Sequence, residues 1–241
     1  MPVVLENLGK RFGDGAPVLD GVNASIGQGE FVALLGASGC GKSTLLNIMA
    51  GLEAPTSGAL EVPSDGAAFM FQDAALFPWL TARENVELAL KLRGVAKAER
   101  RVQAGELLDL VHLGGAGDKR PHELSGGMRQ RVALARSLAQ DRQLLLMDEP
   151  FAALDAITRD LLHDELERIW KETGRTIVFV THNVREAVRL GQRVLLLSSR
   201  PGRVVQEWNV SEDHRTDAGL AGQLTGIITA RLREEIRRHA Q

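Results

Sequence analysis

Short apolar runs, each bounded by glycine or polar residues, predict a set of buried strands. These runs cover residues 31–35, 66–71, 144–147, 176–180 and 194–197. Alternation or apolar content predicts further short strands at residues 3–5, 19–26, 58–62 and 204–205. The pattern is typical of an α/β protein in which helices separate buried strands.

Helical spacing of apolar residues fills the intervals between these strands. Thr81 and Glu84 form the capping-box pattern, which predicts a helix that continues to about Leu92. Residues 211–218 are polar and are predicted to form a loop. Residues 76–135 are predicted to be a helical segment inserted between two α/β parts. Other helices are predicted at residues 44–50, 97–113, 128–139 and 156–173, and from 224 onward.

Composition narrows the range of functions. The 241 residues, 44% of them hydrophobic, can form one large domain or a core with a subdomain. The net charge of −2 argues against a broad nucleic-acid surface, and the six histidines fit no zinc spacing. Cys40 is the only cysteine, which favours a reducing compartment. No apolar run is long enough to span a membrane, and residues 1–6 lack the basic region of a signal peptide.

The most specific pattern is a glycine-rich loop between a predicted strand and a predicted helix. It reads G-x-x-x-x-G-K-S and comprises Gly36, Ala37, Ser38, Gly39, Cys40, Gly41, Lys42 and Ser43. Glycines allow a tight turn with inward N–H groups, and the helix N-terminus adds positive charge. Lys42 suits the β- and γ-phosphates, and the Ser43 hydroxyl suits Mg²⁺. The alternative is a turn that binds nothing; the fit of motif and flanks favours phosphate binding.

Polar residues follow three predicted strands, where open α/β sheets bind ligands. Asp148 is suited to hold Mg²⁺, and Glu149 to orient or deprotonate an attacking water. His182 could donate to a γ-phosphate, and Gln72 ends another strand. Taken alone, the carboxylates could be a solvated strand end, His182 a packing residue and Gln72 a turn residue.

A second pair of glycines begins the helix predicted at residues 128–139. Ser125 is a good N-cap, but Gly126 and Gly127 weaken a helix start unless something must approach closely. A second anion site at a helix N-terminus is the physical interpretation. Phe12 precedes a glycine turn and could stack on an adenine or serve as a core or turn residue.

Two surface features stay open at this point. Phe77 and Trp79 flank a proline and could form either the core of the helical segment or a docking patch for a partner. The final predicted helix is amphipathic, and we interpret its arginine-rich face as solvated surface rather than a membrane contact.

Taken in order, these motifs resemble those of the ATP-binding cassette (ABC) ATPases, and the likeness covers residues 3–207. The glycine loop resembles Walker A and Gln72 the Q-loop, while His182 resembles the switch histidine. Residues 124–128 resemble the signature motif of the family, residues 144–149 resemble Walker B, and residues 154 and 155 resemble the D-loop.

The resemblance implies an α/β fold with a RecA-like P-loop NTPase core, an antiparallel β subdomain and an inserted α-helical subdomain. It implies one nucleotide-binding domain over residues 1–241, with a core at 1–75 and 136–210, a helical signature subdomain at 76–135 and a helical tail at 211–241.

The resemblance also implies a head-to-tail homodimer with ATP between Walker A of one copy and Ser125, Gly126 and Gly127 of the other. Phe12 would stack on adenine, and Asp155 would act across the interface. The implied catalytic residues are Glu149, His182, Lys42 and Gln72. The implied Mg²⁺ ligands are Ser43, Gln72 and Asp148, and Thr44 joins the glycine loop in binding ATP.

Two positions depart from the family pattern. Met128 stands where the family most often has Gln, which leaves backbone contacts intact but removes a side-chain role. The segment 152–155 begins with Ala152 in place of a frequent serine, so a hydrogen bond from that position is not expected.

Residues 77–81, 85–86 and 199–202 look like the nitrate/sulfonate/taurine importer branch. This implies an ATPase at the cytoplasmic face of the inner membrane, bound peripherally to a permease that works with a substrate-binding protein, with no nucleic-acid partner. Residues 73–80 would then face the permease. The alternatives are a lipid or export ABC system, a soluble ABC machine, or a P-loop protein such as a kinase; the signature and His182 argue against the last.

Overall fold

The computed structural model describes residues 3–152 and 154–238. The strands are β1 (Val3–Lys10), β2 (Leu19–Ile26), β3 (Phe31–Leu35), β4 (Ser57–Glu61), β5 (Ala67–Met70), β6 (Leu144–Asp148), β7 (Thr176–Val180), β8 (Arg193–Leu197) and β9 (Val204–Asn209). The helices are α1 (Lys42–Met49), α2 (Ala82–Leu92), α3 (Lys97–Leu110), α4 (Gly126–Leu138), α5 (Ala156–Thr173), α6 (Val184–Leu190), α7 (Glu212–Thr216) and α8 (Ala218–Arg238). The expectations that involve Met1, Pro2 and Ala153 lie outside the described residues.

The strands form a small antiparallel sheet and a larger, mostly parallel one. The small sheet has the order β2-β1-β4, and the larger has the order β5-β6-β7-β3-β8-β9. Only β9 in the larger sheet runs antiparallel to its neighbour. The carboxyl ends of β3, β5, β6 and β7 therefore meet at one edge, where Asp148 pairs in register with Val180.

The larger sheet is covered on both faces, so its strands are apolar throughout. Successive side chains of β3 point to opposite faces. Phe31, Ala33 and Leu35 enter a core formed with helices of the α2–α6 region and with α8. Val32 and Leu34 enter a second core that includes α1 and the small antiparallel sheet. The small sheet is thus packed against the larger one on the α1 side.

The inserted helical region lies between β5 and β6 in the chain. Thr81 begins α2 with the predicted capping box: its hydroxyl accepts from the Glu84 N–H at 3.2 Å, and the Glu84 carboxylate accepts from the Thr81 N–H at 2.7 Å. Asn85, fully buried, ties the preceding loop to this helix through bonds to both main-chain groups of Phe77. The loop that carries the exposed aromatics is therefore fixed to α2.

The C-terminal third departs from the sequence expectations. The segment 211–218 was predicted as a loop, but Ser211 caps the short helix α7 by accepting from the His214 N–H. The last helix begins at Ala218 rather than near Leu224. Helix α6 was not predicted, because its seven residues include buried positions on several sides and show no clear period.

None of the helices within the described ranges has both the length and the apolar character needed to cross a bilayer.

Candidate functional site

The glycine-rich loop connects β3 to α1 and depends on its glycines. Gly39 and Gly41 have φ values of +74° and +102°, a region that L side chains rarely adopt. A Cβ at Gly36 would lie 2.6 Å from the Cys40 Sγ, and one at Gly41 would lie 2.7 Å from a methyl carbon of Leu19. Helix α1 has no side-chain cap, so its first N–H groups remain available to an anion.

Lys42 holds its ammonium group inside this loop. The side chain is buried, with 6% exposure, and its Nζ donates to the carbonyl oxygens of Gly36 at 2.9 Å and Ala37 at 2.8 Å. An ammonium group has three donors, and these two bonds orient the charge toward the loop interior. Cys40, also a residue of this loop, is 1% exposed, and burial raises the pKa of its thiol.

Asp148, the last residue of β6, supplies a buried carboxylate. Its exposure is 8%, and its Oδ1 has no hydrogen-bond partner among the described residues. Burial raises its pKa, the neighbouring Glu149 raises it further, and the nearby Ser43 hydroxyl and Lys42 ammonium oppose the shift. A buried carboxylate oxygen with no protein partner, beside a serine hydroxyl, is the donor set that Mg²⁺ prefers.

Glu149 follows Asp148 and turns its side chain out of the sheet. Its φ of 45° is unusual for a residue with a side chain, and its N–H donates to the Val180 carbonyl at 3.0 Å. The Glu149 Oε2 lies 3.2 Å from the His182 Nδ1 and 3.4 Å from the Gln72 Nε2. The polar residues that follow β5 and β7, Gln72 and His182, therefore converge on one carboxylate oxygen of Glu149, which follows β6.

These groups open into one cavity of about 560 Å³. Its lining consists of Phe12, Val18, Ser38, Gly39, Gly41, Lys42, Ser43, Thr44, Gln72, Glu149, His182 and Arg200. Phe12 is 51% exposed, so it is not a core residue, and the Lys10 Nζ lies 4.8 Å from its ring centroid. Gly36, Ala37, Cys40 and Asp148 lie behind this lining. The cavity brings together an aromatic ring, an ammonium group and a carboxylate, as a nucleotide site requires.

The signature and D-loop residues are not part of this cavity wall. The Ser125 Oγ accepts from the Met128 N–H at 3.2 Å and caps α4. The Asp155 Oδ1 accepts from the Thr158 N–H at 3.0 Å and caps α5, and this backbone bond lowers the Asp155 pKa. A Cβ at Gly127 would lie 3.2–3.3 Å from side-chain carbons of Leu154 and Thr158. The two segments therefore contact each other within one chain.

A family model described as ABC transporter matches residues 19–152, which is more than half of the chain. The chain belongs to the ABC transporter family. It is accordingly an ATP-hydrolysing transporter subunit, and it binds ATP through this domain. The resemblance drawn from the motifs is confirmed.

Curated ABC relatives match almost the whole chain. The taurine import ATP-binding protein TauB of Mesorhizobium japonicum is 47% identical over 225 residues, or 90% of this chain and 88% of that protein. The protein of the same name from Roseobacter denitrificans is 44% identical, covering 86% of this chain and 81% of that protein. The bicarbonate transport ATP-binding protein CmpC of Synechococcus elongatus is 49% identical over 83% of this chain but only 32% of that protein. The resemblance to the nitrate/sulfonate/taurine branch is thereby confirmed.

Solved ABC cassettes share the fold. The dimeric post-hydrolysis structure of the ATP-binding cassette MJ0796, bound to ADP and Pi, has a TM-score of 0.78 and 36% identity. It covers 87% of this chain, and the match spans 99% of that chain. The predicted fold class, a P-loop NTPase core with a β subdomain and an inserted helical subdomain, is confirmed.

Two polar residues of this ABC site were missed by sequence reasoning. The Gln130 Nε2, on α4, donates to the Gln72 carbonyl at 2.7 Å and so joins the helical region to the end of β5. The Arg200 Nε donates to the Gly39 carbonyl at 2.8 Å. Arg200 belongs to the segment 199–202, which the sequence singles out as a branch feature, but nothing in the sequence places it beside the glycine loop.

The exposed aromatics border a groove on the helical region. Trp79 is 66% exposed, and its ring centroid lies 5.5 Å from that of Phe77. A neighbouring groove of about 500 Å³ includes Phe77, Phe71 and Leu92 in its walls. The rings of Phe77 and Trp79 are therefore not buried in the helical core, and the docking interpretation remains.

Proposed function

We propose that this protein is the ATP-hydrolysing subunit of a bacterial ABC importer that energises uptake of a small anion, such as taurine, another sulfonate or nitrate. The observation that carries the proposal is the convergence of His182 and Gln72 on the Glu149 carboxylate, in the cavity that Lys42 lines. The names of the relatives favour uptake over lipid export or a soluble ABC machine.

The glycine loop binds the triphosphate of ATP. Its N–H groups and the Lys42 ammonium supply fixed positive charge, and Phe12, in the lining of the same cavity, stacks on the adenine. The remaining binding residues are Gly36, Ala37, Ser38, Gly39, Cys40, Gly41, Ser43 and Thr44. Preorganised charge of this kind supplies most of the acceleration in phosphoryl transfer.

The site also fits a Mg²⁺ ion. Asp148 offers a buried oxygen with no partner among the described residues, close to the Ser43 hydroxyl. Ser43 and Gln72 would supply further oxygen ligands. When bound, the ion neutralises negative charge on the phosphates. The described residues contain no cluster of three or more His, Cys, Asp or Glu side chains that could hold a metal.

Glu149 is the catalytic carboxylate in this proposal. It accepts a hydrogen bond from the attacking water, orients it and takes its proton. His182 contacts the same carboxylate at 3.2 Å and is placed to donate to the terminal phosphate. Gln72 links this group to the helical region, because its carbonyl is held by Gln130 at 2.7 Å.

Two copies complete the site. Ser125, Gly126, Gly127 and Asp155 lie outside the cavity wall of their own chain and would face the nucleotide of a second copy. The solved MJ0796 cassettes are dimeric, which supports a homodimer. The core would comprise residues 1–75 and 136–210, the signature subdomain 76–135 and the tail 211–241.

Other subunits complete the transporter. The groove beside Phe77 and Trp79 would receive a permease at the cytoplasmic face of the inner membrane. A substrate-binding protein outside that membrane would deliver the anion. The permease and the binding protein then select the substrate, while this subunit supplies the energy.

Glu149→Gln tests the catalytic assignment. Because the amide keeps the shape but cannot take a proton, we expect ATPase turnover to fall at least about 100-fold while ATP still binds. Light scattering in Mg-ATP should then report a stable dimer. The matched control is Glu61→Gln, on exposed β4, which should leave turnover unchanged. Unchanged turnover in Glu149→Gln would remove Glu149 from the mechanism, and a monomer in saturating Mg-ATP would contradict the dimer.

The substrate class is tested in cells that carry the gene. Uptake of labelled taurine and nitrate should fall when the gene is deleted, return with the natural sequence and stay low with Glu149→Gln. Normal uptake of every anion tested in the deletion strain would exclude the importer assignment for those anions.

A further inference from the structure

Arg200 reaches the nucleotide cavity from a segment that none of the assigned ATP-binding motifs includes. With Lys42, it is one of the two lysine or arginine side chains in the cavity lining of the described chain. Its Nε donates to the Gly39 carbonyl oxygen at 2.8 Å, across 161 positions of sequence. An arginine–carbonyl bond is charge-assisted and is stronger than a neutral one.

The segment that carries Arg200 is held in place by the sheet and by the glycine loop. The Gly202 N–H donates to the Val18 carbonyl at 2.8 Å, and the Asp20 N–H donates to the Gly202 carbonyl at 3.1 Å. A Cβ at Gly202 would lie 2.3 Å from the Cys40 carbonyl oxygen. Because Gly202 has no side chain, the segment 199–202 can contact the glycine-rich loop. The backbone of Arg200 is therefore held close to that loop.

The peptide unit between Gly39 and Cys40 is bonded on both sides. The Cys40 N–H donates to the Ala37 carbonyl at 3.3 Å, and the Gly39 carbonyl accepts from Arg200. Gly39 has a φ of +74°, and glycine has the widest conformational freedom of any residue. The Arg200 bond therefore restrains a glycine peptide of the phosphate-binding loop that would otherwise have wide conformational freedom.

The geometry points to Arg200 as a positioning residue for nucleotide binding: it pins the Gly39–Cys40 peptide and keeps the loop N–H groups preorganised for phosphate. The inference rests on the proposed function of the cavity. A preorganised loop pays less ordering entropy on binding, so loss of the bond should appear as weaker ATP affinity rather than slower chemistry.

The test compares Arg200→Ala, Arg200→Lys and Arg203→Ala. Arg203 lies in the same segment and pairs with Asp20, but it does not line the cavity, which makes it the matched control. For Arg200→Ala we expect Kd and KM for ATP to rise about tenfold, with kcat within about twofold, because one charge-assisted bond is lost. Arg200→Lys keeps a charged donor and should recover to within about threefold, and Arg203→Ala should stay within about twofold.

Hydrogen exchange of the nucleotide-free protein gives a readout independent of activity. Peptides that cover residues 36–42 should exchange faster in Arg200→Ala than in the natural protein or in Arg203→Ala. Unchanged Kd and exchange in Arg200→Ala would overturn the inference, as would equal effects in Arg203→Ala. Lys42→Ala distinguishes failure of the Arg200 inference from failure of the proposed nucleotide site. If Lys42→Ala also leaves ATP affinity unchanged, the proposed site itself is wrong.

Discussion

The phosphate loop and the signature segment both place glycines at the start of a helix, yet their polar groups are satisfied differently. The N-cap residue of α1, Gly41, has no side chain to cap the helix, whereas the N-cap residue of α4, Ser125, accepts from the Met128 N–H through its hydroxyl. Near the first segment, the Asp148 Oδ1 has no hydrogen-bond partner in the described part of the chain; near the second, the Asp155 carboxylate caps α5. The first region thus has a buried oxygen available to a ligand within one chain, while the Ser125 and Asp155 oxygens of the second already serve as helix caps.

The phosphate loop and the signature segment therefore depend on a bound nucleotide in different ways. Buried polar groups without partners cost folding free energy, so the first region gains most from bound nucleotide and metal. The second region is already stabilised by its caps, and a ligand would meet it only where a second copy presents one.

Lys42→Ala should cause the largest loss of ATP affinity, because it removes charge from the phosphate loop. The variant removes a buried ammonium group that faces the loop interior, and charged hydrogen bonds contribute about 1.5–3 kcal/mol each. We expect ATP affinity to fall at least about 100-fold in titrations with a fluorescent ATP analogue. Lys97→Ala, at the exposed start of α3, is the control. Retained affinity in Lys42→Ala would mean that the first region does not hold the phosphates.

Acid pH should destabilise α5, the helix that Asp155 caps, through His163. This buried residue of α5 packs edge-on against Phe151 at 4.5 Å, and neither ring nitrogen has a hydrogen-bond partner among the described residues. Burial lowers its pKa from 6.5 to about 4, and the nearby Arg189 contributes to this shift. Because the folded pKa lies below the unfolded one, the unfolded chain binds the proton first. Stability is therefore lost as pH falls from about 6.5 towards 4.

His163→Leu should remove this pH dependence. Between pH 8 and pH 5, the free energy of unfolding should fall about 2 kcal/mol more in the natural protein than in the variant. Urea unfolding at the two pH values measures the difference, and His122→Leu, at an exposed site, is the control. Parallel pH profiles for the natural protein and His163→Leu would refute the role of His163.

Ser125→Ala should have the smallest effect on stability and should separate capping from catalysis. Loss of an N-cap costs about 1 kcal/mol, so the free energy of unfolding should fall by that amount. Ser211→Ala removes the comparable cap of α7, far from the signature in the chain, and should cost a similar amount. Only Ser125→Ala should lower ATPase turnover at protein concentrations that favour dimers. Equal turnover in the two variants would assign Ser125 a structural role alone.

Much of the fold could be predicted from the chain because its signals are local. The apolar runs at residues 31–35 and 176–180 coincide with β3 and β7, and the capping box at Thr81 begins α2. Helix α6 escaped prediction because tertiary packing buries several of its sides, and Ser211 begins a helix in a segment that its polarity marks as loop.

Some residues of the candidate site could likewise be predicted from the sequence, and others could not. The residues at strand ends could be grouped in advance, since the carboxyl ends of parallel strands meet at one edge. Gln130 and Arg200 could not be found, because each reaches its partner, Gln72 or Gly39, across a distance in sequence that only folding closes. The roles of the individual site residues remain predictions for the variants described above.

Residues adjacent in the chain were sufficient to indicate the family and the order of the motifs, and they predict the phosphate-loop chemistry. Only the tertiary structure decided that Phe12 is exposed at a cavity wall, that Asp155 caps a helix and that Arg200 bonds to Gly39. The strand order β6-β7-β3-β8 explains this, because it brings segments that follow distant strands to one edge of the sheet. Polar groups that are far apart in the sequence become hydrogen-bond partners there.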